Sequence, residues 1–285
     1  MKKSKALRDL WYKLPTNQRY LIRRLYYLPV DTLDLISGKR HKYVPPRGYI
    51  YTGSPASAED YLRQGKHQVS LLKDYINLKP TDAVLDIGSG IGRTAIALTD
   101  FLSKEGSYEG FDVVERGVEW CTKKIHSDFS NFNFTYVPLF NDLYNNATLK
   151  AEEFTFPYPD NSFDKVFSFS VFTHMQLQEI AHYLKEIERV LKPGGKMLST
   201  FFLYNTENAE RIANRKPFGF PVAKAGYKLM DEDVTAGNIA LHNDTLKEIS
   251  EVATLPLQNI IEGFWKDDIR DKSKKEYQDI AIFKK

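Results

Sequence analysis

Cysteine is nearly absent from this 285-residue chain, which has a single one at Cys121. One thiol cannot close an internal disulfide, build a Cys-rich zinc knuckle or supply the three-cysteine cradle of an iron–sulfur radical enzyme. A reducing, cytoplasmic setting is therefore expected, and no metal-ligand set is read from the sequence. Long apolar runs are missing as well: Ser, Lys or Asp interrupts each one well short of the roughly 18 residues that a membrane span needs. The opening MKKSKALRDLW has a basic head without an apolar stretch of signal-peptide length, which leaves secretion unsupported. Internal repeats and low-complexity tracts are not visible. Against these absences, 42% of the residues are apolar and 13% aromatic, enough for one large α/β domain with additions or for two small ones.

The net charge of +3 is unevenly distributed. Met1 to Gly48 carries 12 Lys and Arg against 3 Asp and Glu, a net of +9, and the other residues carry 28 against 34, a net of −6. The basic segment is interleaved with Leu7, Leu10, Trp11, Leu14, Leu21, Leu25 and Tyr26. Apolar residues at that spacing usually belong to a core, so the favoured expectation is a helix docked through its apolar stripe with a solvated basic side. The alternative is contact with anionic lipid, nucleic acid or a phosphorylated substrate.

Residues 1–56 read as a basic helical extension and linker, with the Pro- and Gly-rich Val44 to Gly53 as a linker or crossing loop. Residues 57–285 read as the main domain. A helix is expected from Ser57 to Leu78. Strand and helix then alternate: Ala83–Ile87, Ile91–Leu102, Tyr108–Val113, Val118–Ile125 and Phe132–Val137. A strand over Lys165–Val171 follows, then a helix carrying Leu177, Ile180, Ala181, Leu184, Ile187 and Leu191 at helical spacing, ended by Pro193-Gly194-Gly195. The next strand is Met197–Leu203, and about 35 irregular residues come after it. A helix over Asp244–Val252 precedes two β-like runs, Leu257–Trp265 and Tyr277–Phe283, which suit an antiparallel hairpin. The alternation predicts a mostly parallel sheet.

The segment VLDIGSGIGR sets Gly88, Gly90 and Gly92 where a strand turns into a helix and lets a ligand approach bare backbone. A dinucleotide loop would want its third glycine at position 93, which is Arg93. Asp86, two residues before the first glycine, disfavours a pyrophosphate and favours a ligand with an ammonium or sulfonium charge. In these residues the chain resembles the class I S-adenosylmethionine-dependent methyltransferases, whose first motif is an acidic residue followed by G-x-G-x-G. The resemblance runs on through GFDVVERGVEWC, PDNSFDKVFSFSVFTHM and YLKEIERVLKPGGKMLSTFFL, roughly Leu78 to Leu203. More closely, the chain looks like a bacterial subgroup carrying YLP-x-D (Tyr27 to Asp31), PPR (Pro45 to Arg47), GIGR (Gly90 to Arg93), SVFTHM (Ser170 to Met175), Gly263 to Trp265, and Gln278 with Asp279.

The resemblance implies a Rossmann-like α/β fold with a mostly parallel seven-stranded sheet, an antiparallel terminal hairpin and N-terminal cap helices. S-adenosyl-L-methionine is the implied cofactor, held by Asp86, Gly88, Gly90, Gly92, Arg93, Asp112, Leu139 and Ser170, with Asp112 on the ribose hydroxyls. At the end of the third strand, where relatives place an acidic residue on the adenine amine, Pro138 aligns. The adenine contact then falls to the backbone of Leu139 or to Asn141 and Asp142. His174, beyond the fourth strand, is the candidate catalytic residue, either touching the acceptor and taking its proton or simply capping and packing. Phe202 and Tyr204, near the end of the fifth strand, read as core with lining of the acceptor pocket as the alternative, Cys121 as a buried helix residue, and Trp265 either as a cover over the site or as hairpin packing.

The expected reaction is methyl transfer to an oxygen or nitrogen of a small molecule or glycan. Nucleic acid is disfavoured as acceptor, since SVFTHM lacks the Asn/Asp-Pro-Pro-aromatic motif of amino-methylating DNA enzymes and Cys121 does not follow a proline. A peripheral membrane contact through the N-terminal segment stays open. The competing readings are a nicotinamide-dependent oxidoreductase and a non-catalytic module that keeps the cofactor pocket.

Overall fold

The strand leading to the glycine loop, β1 (Ala83–Ile87), is buried almost throughout. Its near-continuous apolar run is what the centre of a parallel sheet requires. The computed structural model describes residues 14–38, 40–51, 57–141, 147–216, 218–232 and 237–285, with the side chains of Thr16 and Asn17 left aside. β1 is flanked in parallel by β2 (Ser107–Asp112) and β4 (Phe163–Ser168), and β3 (Phe132–Tyr136) lies in parallel beyond β2. β5 (Leu191–Tyr204) pairs in parallel with β4, and β10 (Asp279–Lys284) runs antiparallel to β5 and then to β9 (Leu257–Ile261). The order β3-β2-β1-β4-β5-β10-β9 is the expected seven-stranded sheet with its antiparallel terminal hairpin.

Helices cover both faces. α2 (Ala58–Ile76), α3 (Arg93–Thr99) and α4 (Glu115–Cys121) meet one core containing Tyr61, Leu72, Val84, Tyr108 and Cys121. On the other face α5 (Leu177–Val190) packs on Leu85, Phe111, Val166 and Met197. Neighbouring residues of β1, Val84 and Leu85, therefore feed opposite cores, as strand pleating demands. α2 starts on Ser57, whose side chain accepts from the Asp60 amide, and α5 starts with a capping box between Gln176 and Glu179.

Two expectations fail. The stretch after β5 is not irregular: α6 (Ala209–Asn214), β6 (Val222–Lys224), β7 (Tyr227–Leu229) and β8 (Ile239–His242) extend the sheet, with β8 parallel to Phe202–Tyr204 and α7 (Asn243–Val252) following it. Strands of three or four residues are too short to display an alternation. The second failure is the N-terminal helix, α1 (Thr16–Ser37). It docks through its charged side, and Leu21, Leu25 and Tyr26, expected in the core, are exposed. Leu7, Leu10 and Trp11 lie outside the described residues. The stretch after α1 is packed, with Val44, Gly48 and Ile50 buried, so it behaves as a crossing loop. None of the described helices is long and apolar enough to cross a membrane.

Candidate active site

All three loop glycines take the left-handed conformation, with φ of 76°, 60° and 85° at Gly88, Gly90 and Gly92. Space restricts them too. A Cβ on Gly88 would lie 2.4 Å from Val171 Cγ2, and one on Gly92 2.8 Å from Cys121 Sγ and 2.9 Å from Ile125 Cδ1. The third glycine therefore sits at 92 because it is the cap of α3 against α4. The loop is tied down by its neighbours: the Gly88 and Ser89 amides donate to the Phe111 carbonyl, and the Tyr61 hydroxyl of α2 donates to the Ile91 carbonyl at 3.0 Å.

Two carboxylates flank this loop. Asp86, 3% exposed, accepts from the Tyr108 hydroxyl at 2.7 Å, and burial pushes its pKa up to about 7 against that hydrogen bond. Asp112, 8% exposed, accepts from the Gly90 amide at 2.7 Å and the Val114 amide at 2.8 Å, and the Tyr51 hydroxyl reaches it at 3.4 Å. Burial raises Asp112 to about 6, with the backbone donors opposing. Neither forms an ion pair with another described residue. Both open into one cavity of about 570 Å³, within the range of small-molecule sites.

The same cavity is lined by Asp86, Gly88, Gly90, Arg93, Asp112, Leu139, Ser170 and His174, whereas Gly92, the third loop glycine, is not among its lining residues. Arg93 donates to Gln64 at 2.8 Å, and burial lowers its pKa. Leu139 lines the cavity, but its amide already donates to the Val137 carbonyl at 2.8 Å. Asn141 is present, and Asp142 lies outside the described residues. Ser170 holds a left-handed φ of 62°, its amide donating to Thr200 Oγ1 at 2.7 Å and its hydroxyl accepting from Gln278 Nε2 at 3.0 Å. Positive φ at a non-glycine is uncommon and marks a position that its surroundings over-determine. His174 closes the short 3-10 turn Phe172–His174 and lines the cavity half-buried.

Sequence reasoning missed several residues. Tyr51, Gln64, His67 and Gln68 reach the cavity from the N-terminal side, and Glu276 and Tyr277 from the loop before β10. His67 Nε2 hydrogen-bonds Glu276 Oε2 at 3.2 Å, a pairing between residues 209 positions apart that no local pattern announces. Trp265, left open from sequence, is packing. Fully buried, it donates through Nε1 to Asp279 at 2.6 Å and meets Phe202 and Phe220 edge-on. Asp279 also accepts from the amides of Leu203 and Gly263 and from Lys266 Nζ. The Gly263-to-Trp265 and Gln278-Asp279 signature is thus one knot around a buried carboxylate, joined to Ser170 by Gln278. Phe202, Tyr204 and Cys121 are buried as expected.

Residues 85–199 match the family model of a methyltransferase domain, and residues 32–137 match that of protein-L-isoaspartate(D-aspartate) O-methyltransferase. The chain is 28% identical over 144 residues to the ubiquinone/menaquinone biosynthesis C-methyltransferase UbiE of Wigglesworthia glossinidia brevipalpis, covering 49% of this chain and 51% of that protein. It is 26% identical over 280 residues to phosphoethanolamine N-methyltransferase 3 of Arabidopsis thaliana, covering 95% and 49%. The chain spans about half the length of these curated relatives. In fold it is similar to the PH0226 protein of Pyrococcus horikoshii, with a TM-score of 0.54, 17% identity, and 85% and 96% of the two chains covered. Sheet order, glycine loop and the match of residues 85–199 to a methyltransferase domain point the same way, and S-adenosylmethionine is the cofactor whose fit the site can test. The residues fit that group: a buried carboxylate at Asp86 with no ion pair among the described residues suits its cationic end, and the left-handed turn brings the bare backbone of Gly88 and Gly90 to the cavity wall.

Proposed function

We propose that the protein transfers a methyl group from S-adenosylmethionine to an oxygen or nitrogen of a small molecule or glycan. The single observation that carries this reading is that Asp86, Gly88, Gly90 and Asp112 line one cavity together with Phe140, Phe169, Phe264 and Tyr277. Asp86 accepts the cationic methionine end, Gly88 to Gly92 pass beneath it, and Asp112 takes the ribose hydroxyls. Arg93 through Gln64, Leu139 and Ser170 shape the walls. When bound, the cofactor supplies an electrophilic methyl on a cationic sulfur: the acceptor lone pair forms the new bond to carbon, the sulfur–carbon pair returns to sulfur, and the acceptor loses a proton.

His174 receives that proton in this reading. Phe140, Phe169, Phe264 and Tyr277 hold a flat or apolar acceptor at the mouth. In-line placement of acceptor and methyl contributes roughly 7 to 11 kcal/mol, more than a general base does. The basic N-terminal helix gives a nucleic-acid acceptor little help, because Arg23 donates to the Arg47 carbonyl and Arg24 lies 5.1 Å over the Tyr49 ring. Calorimetry with S-adenosylmethionine, S-adenosylhomocysteine and a reduced nicotinamide, followed by methyl-labelled donor in metabolite, glycan and nucleic-acid extracts, tests the proposal. Binding of the first two ligands and label in a small molecule or glycan are expected. Nicotinamide binding alone would make the protein an oxidoreductase. Cofactor binding without any labelled product would make it a passive module, and label in nucleic acid would move the acceptor class.

A further inference from the structure

α1 is an amphipathic helix mounted the wrong way round for a core. Its charged side meets the body. The Asp31 carboxylate accepts from the amides of Arg47 at 2.9 Å and Gly48 at 3.0 Å, and Asp31 and Asp34 both pair with the Arg47 guanidinium. Asp34 also meets Arg40 at 3.5 Å, and the Arg116 guanidinium lies 3.4 Å over the Tyr20 ring. The opposite side is apolar and faces water. Leu21, Leu25, Leu28, Leu35 and Ile36, spaced so that a helix gathers them on one arc, are 56%, 60%, 54%, 82% and 79% exposed. Leu33 and Tyr26 widen the arc. Such a contiguous exposed face marks an interaction surface.

We propose that this face docks on an anionic lipid bilayer, with α1 lying in the plane of the interface. Charge selects that occupant. Both acidic residues of α1 are turned inward, so the outward arc offers nothing that an anionic surface would repel. The sequence entering the helix, residues 1–13, has Lys2, Lys3, Lys5, Arg8 and Lys13 against Asp9, together with Trp11 and Tyr12. Basic residues beside an apolar helical face, with interfacial aromatics, suit anionic headgroups over acyl chains. A second copy seated on the same face would bring two such basic segments together. α1 lies on the bilayer and does not span it. The surface also neighbours the cofactor cavity, because Tyr20 packs on Tyr51, whose hydroxyl reaches Asp112.

The test is flotation of the full chain with vesicles of phosphatidylcholine alone and of phosphatidylcholine with about a third phosphatidylglycerol, at low and high salt. Ultracentrifugation of the lipid-free protein accompanies it. The expected results are binding to the anionic vesicles only, weakened by salt, and a drop of about tenfold or more for the double variant Leu25→Glu, Leu28→Glu with cofactor affinity unchanged. A triple variant Lys2→Glu, Lys3→Glu, Lys5→Glu, which leaves every residue of α1 unchanged, should lose binding similarly and covers the case of misfolding in the first. Equal binding to neutral vesicles or none to either would overturn the proposal. So would a lipid-free dimer that the leucine variant dissociates, which would give the face to a second copy.

Discussion

The two ends of the cavity are built from different distances along the chain. The end proposed for the cofactor draws mostly on residues 83–114, where a buried strand, a turn of three left-handed glycines and a second strand end follow one another, with Leu139 and Ser170 added from further along. The end proposed for the acceptor draws on α2, the turn after β4 and the loop before β10, where the His67–Glu276 contact joins residues 209 positions apart. A ligand that must lie on bare backbone imposes its chemistry locally. An acceptor pocket needs only side chains that the fold brings together.

The largest effect that would sharpen this contrast lies at the acceptor end. His174→Ala should leave cofactor affinity nearly intact and lower turnover of an alcohol acceptor by about 10² to 10⁴-fold, measured by pairing calorimetry with a single-acceptor rate assay. His67→Ala should change the rate only a few-fold. The reverse ranking would hand the proton to the His67–Glu276 pair.

Next in size is the knot at Asp279. Asp279→Ala leaves Trp265, Lys266 and two amides without their acceptor, and should destabilise the protein by about 3 to 5 kcal/mol in denaturant melts. A loss below 1 kcal/mol would mean that the acceptor end does not depend on this carboxylate.

These cases show what sequence alone carries. The glycine turn was legible because positive φ and close packing restrict the residue type at a fixed spacing, and the same motifs set Asp86 and Asp112 beside it on the cavity wall. Most strands were legible because central parallel strands are short buried runs between turns. β6 to β8 were not, since three or four residues hold no period. The side on which α1 docks was not legible either. Periodicity reveals the apolar stripe, but the outcome was decided by Asp31 capturing the Arg47 and Gly48 amides from a distant turn. The Gly263-to-Trp265 motif was visible and its role was not, because the Asp279 acceptor arrives from another strand.

A smaller effect belongs to the cofactor end. Asp112→Ala should weaken S-adenosylmethionine binding by roughly 1.5 to 3 kcal/mol, the worth of hydrogen bonds to a charged group, in a protein that stays folded but melts lower because the Gly90 and Val114 amides lose their acceptor. Asp112→Glu should retain part of the affinity. An unchanged dissociation constant for the alanine variant would take the ribose away from Asp112.

In the proposed function Asp86 awaits a cationic ligand. In the unliganded protein burial lifts its pKa to about 7. Its folded pKa stands above the unfolded value, so ionising it progressively destabilises the fold as pH rises from about 4 to 7. A bound sulfonium or ammonium reverses the balance by favouring the ionised form. Calorimetric titration of wild type and Asp86→Asn with S-adenosylmethionine between pH 5.5 and about 8.5, in buffers of different ionisation enthalpy, reads this directly. The account predicts that wild-type affinity falls by up to about tenfold per pH unit below 7 and that binding releases a proton. Asp86→Asn should bind weakly, with the part of the pH dependence due to Asp86 removed. Binding of equal strength in both proteins, with the same pH dependence and proton release, would contradict it.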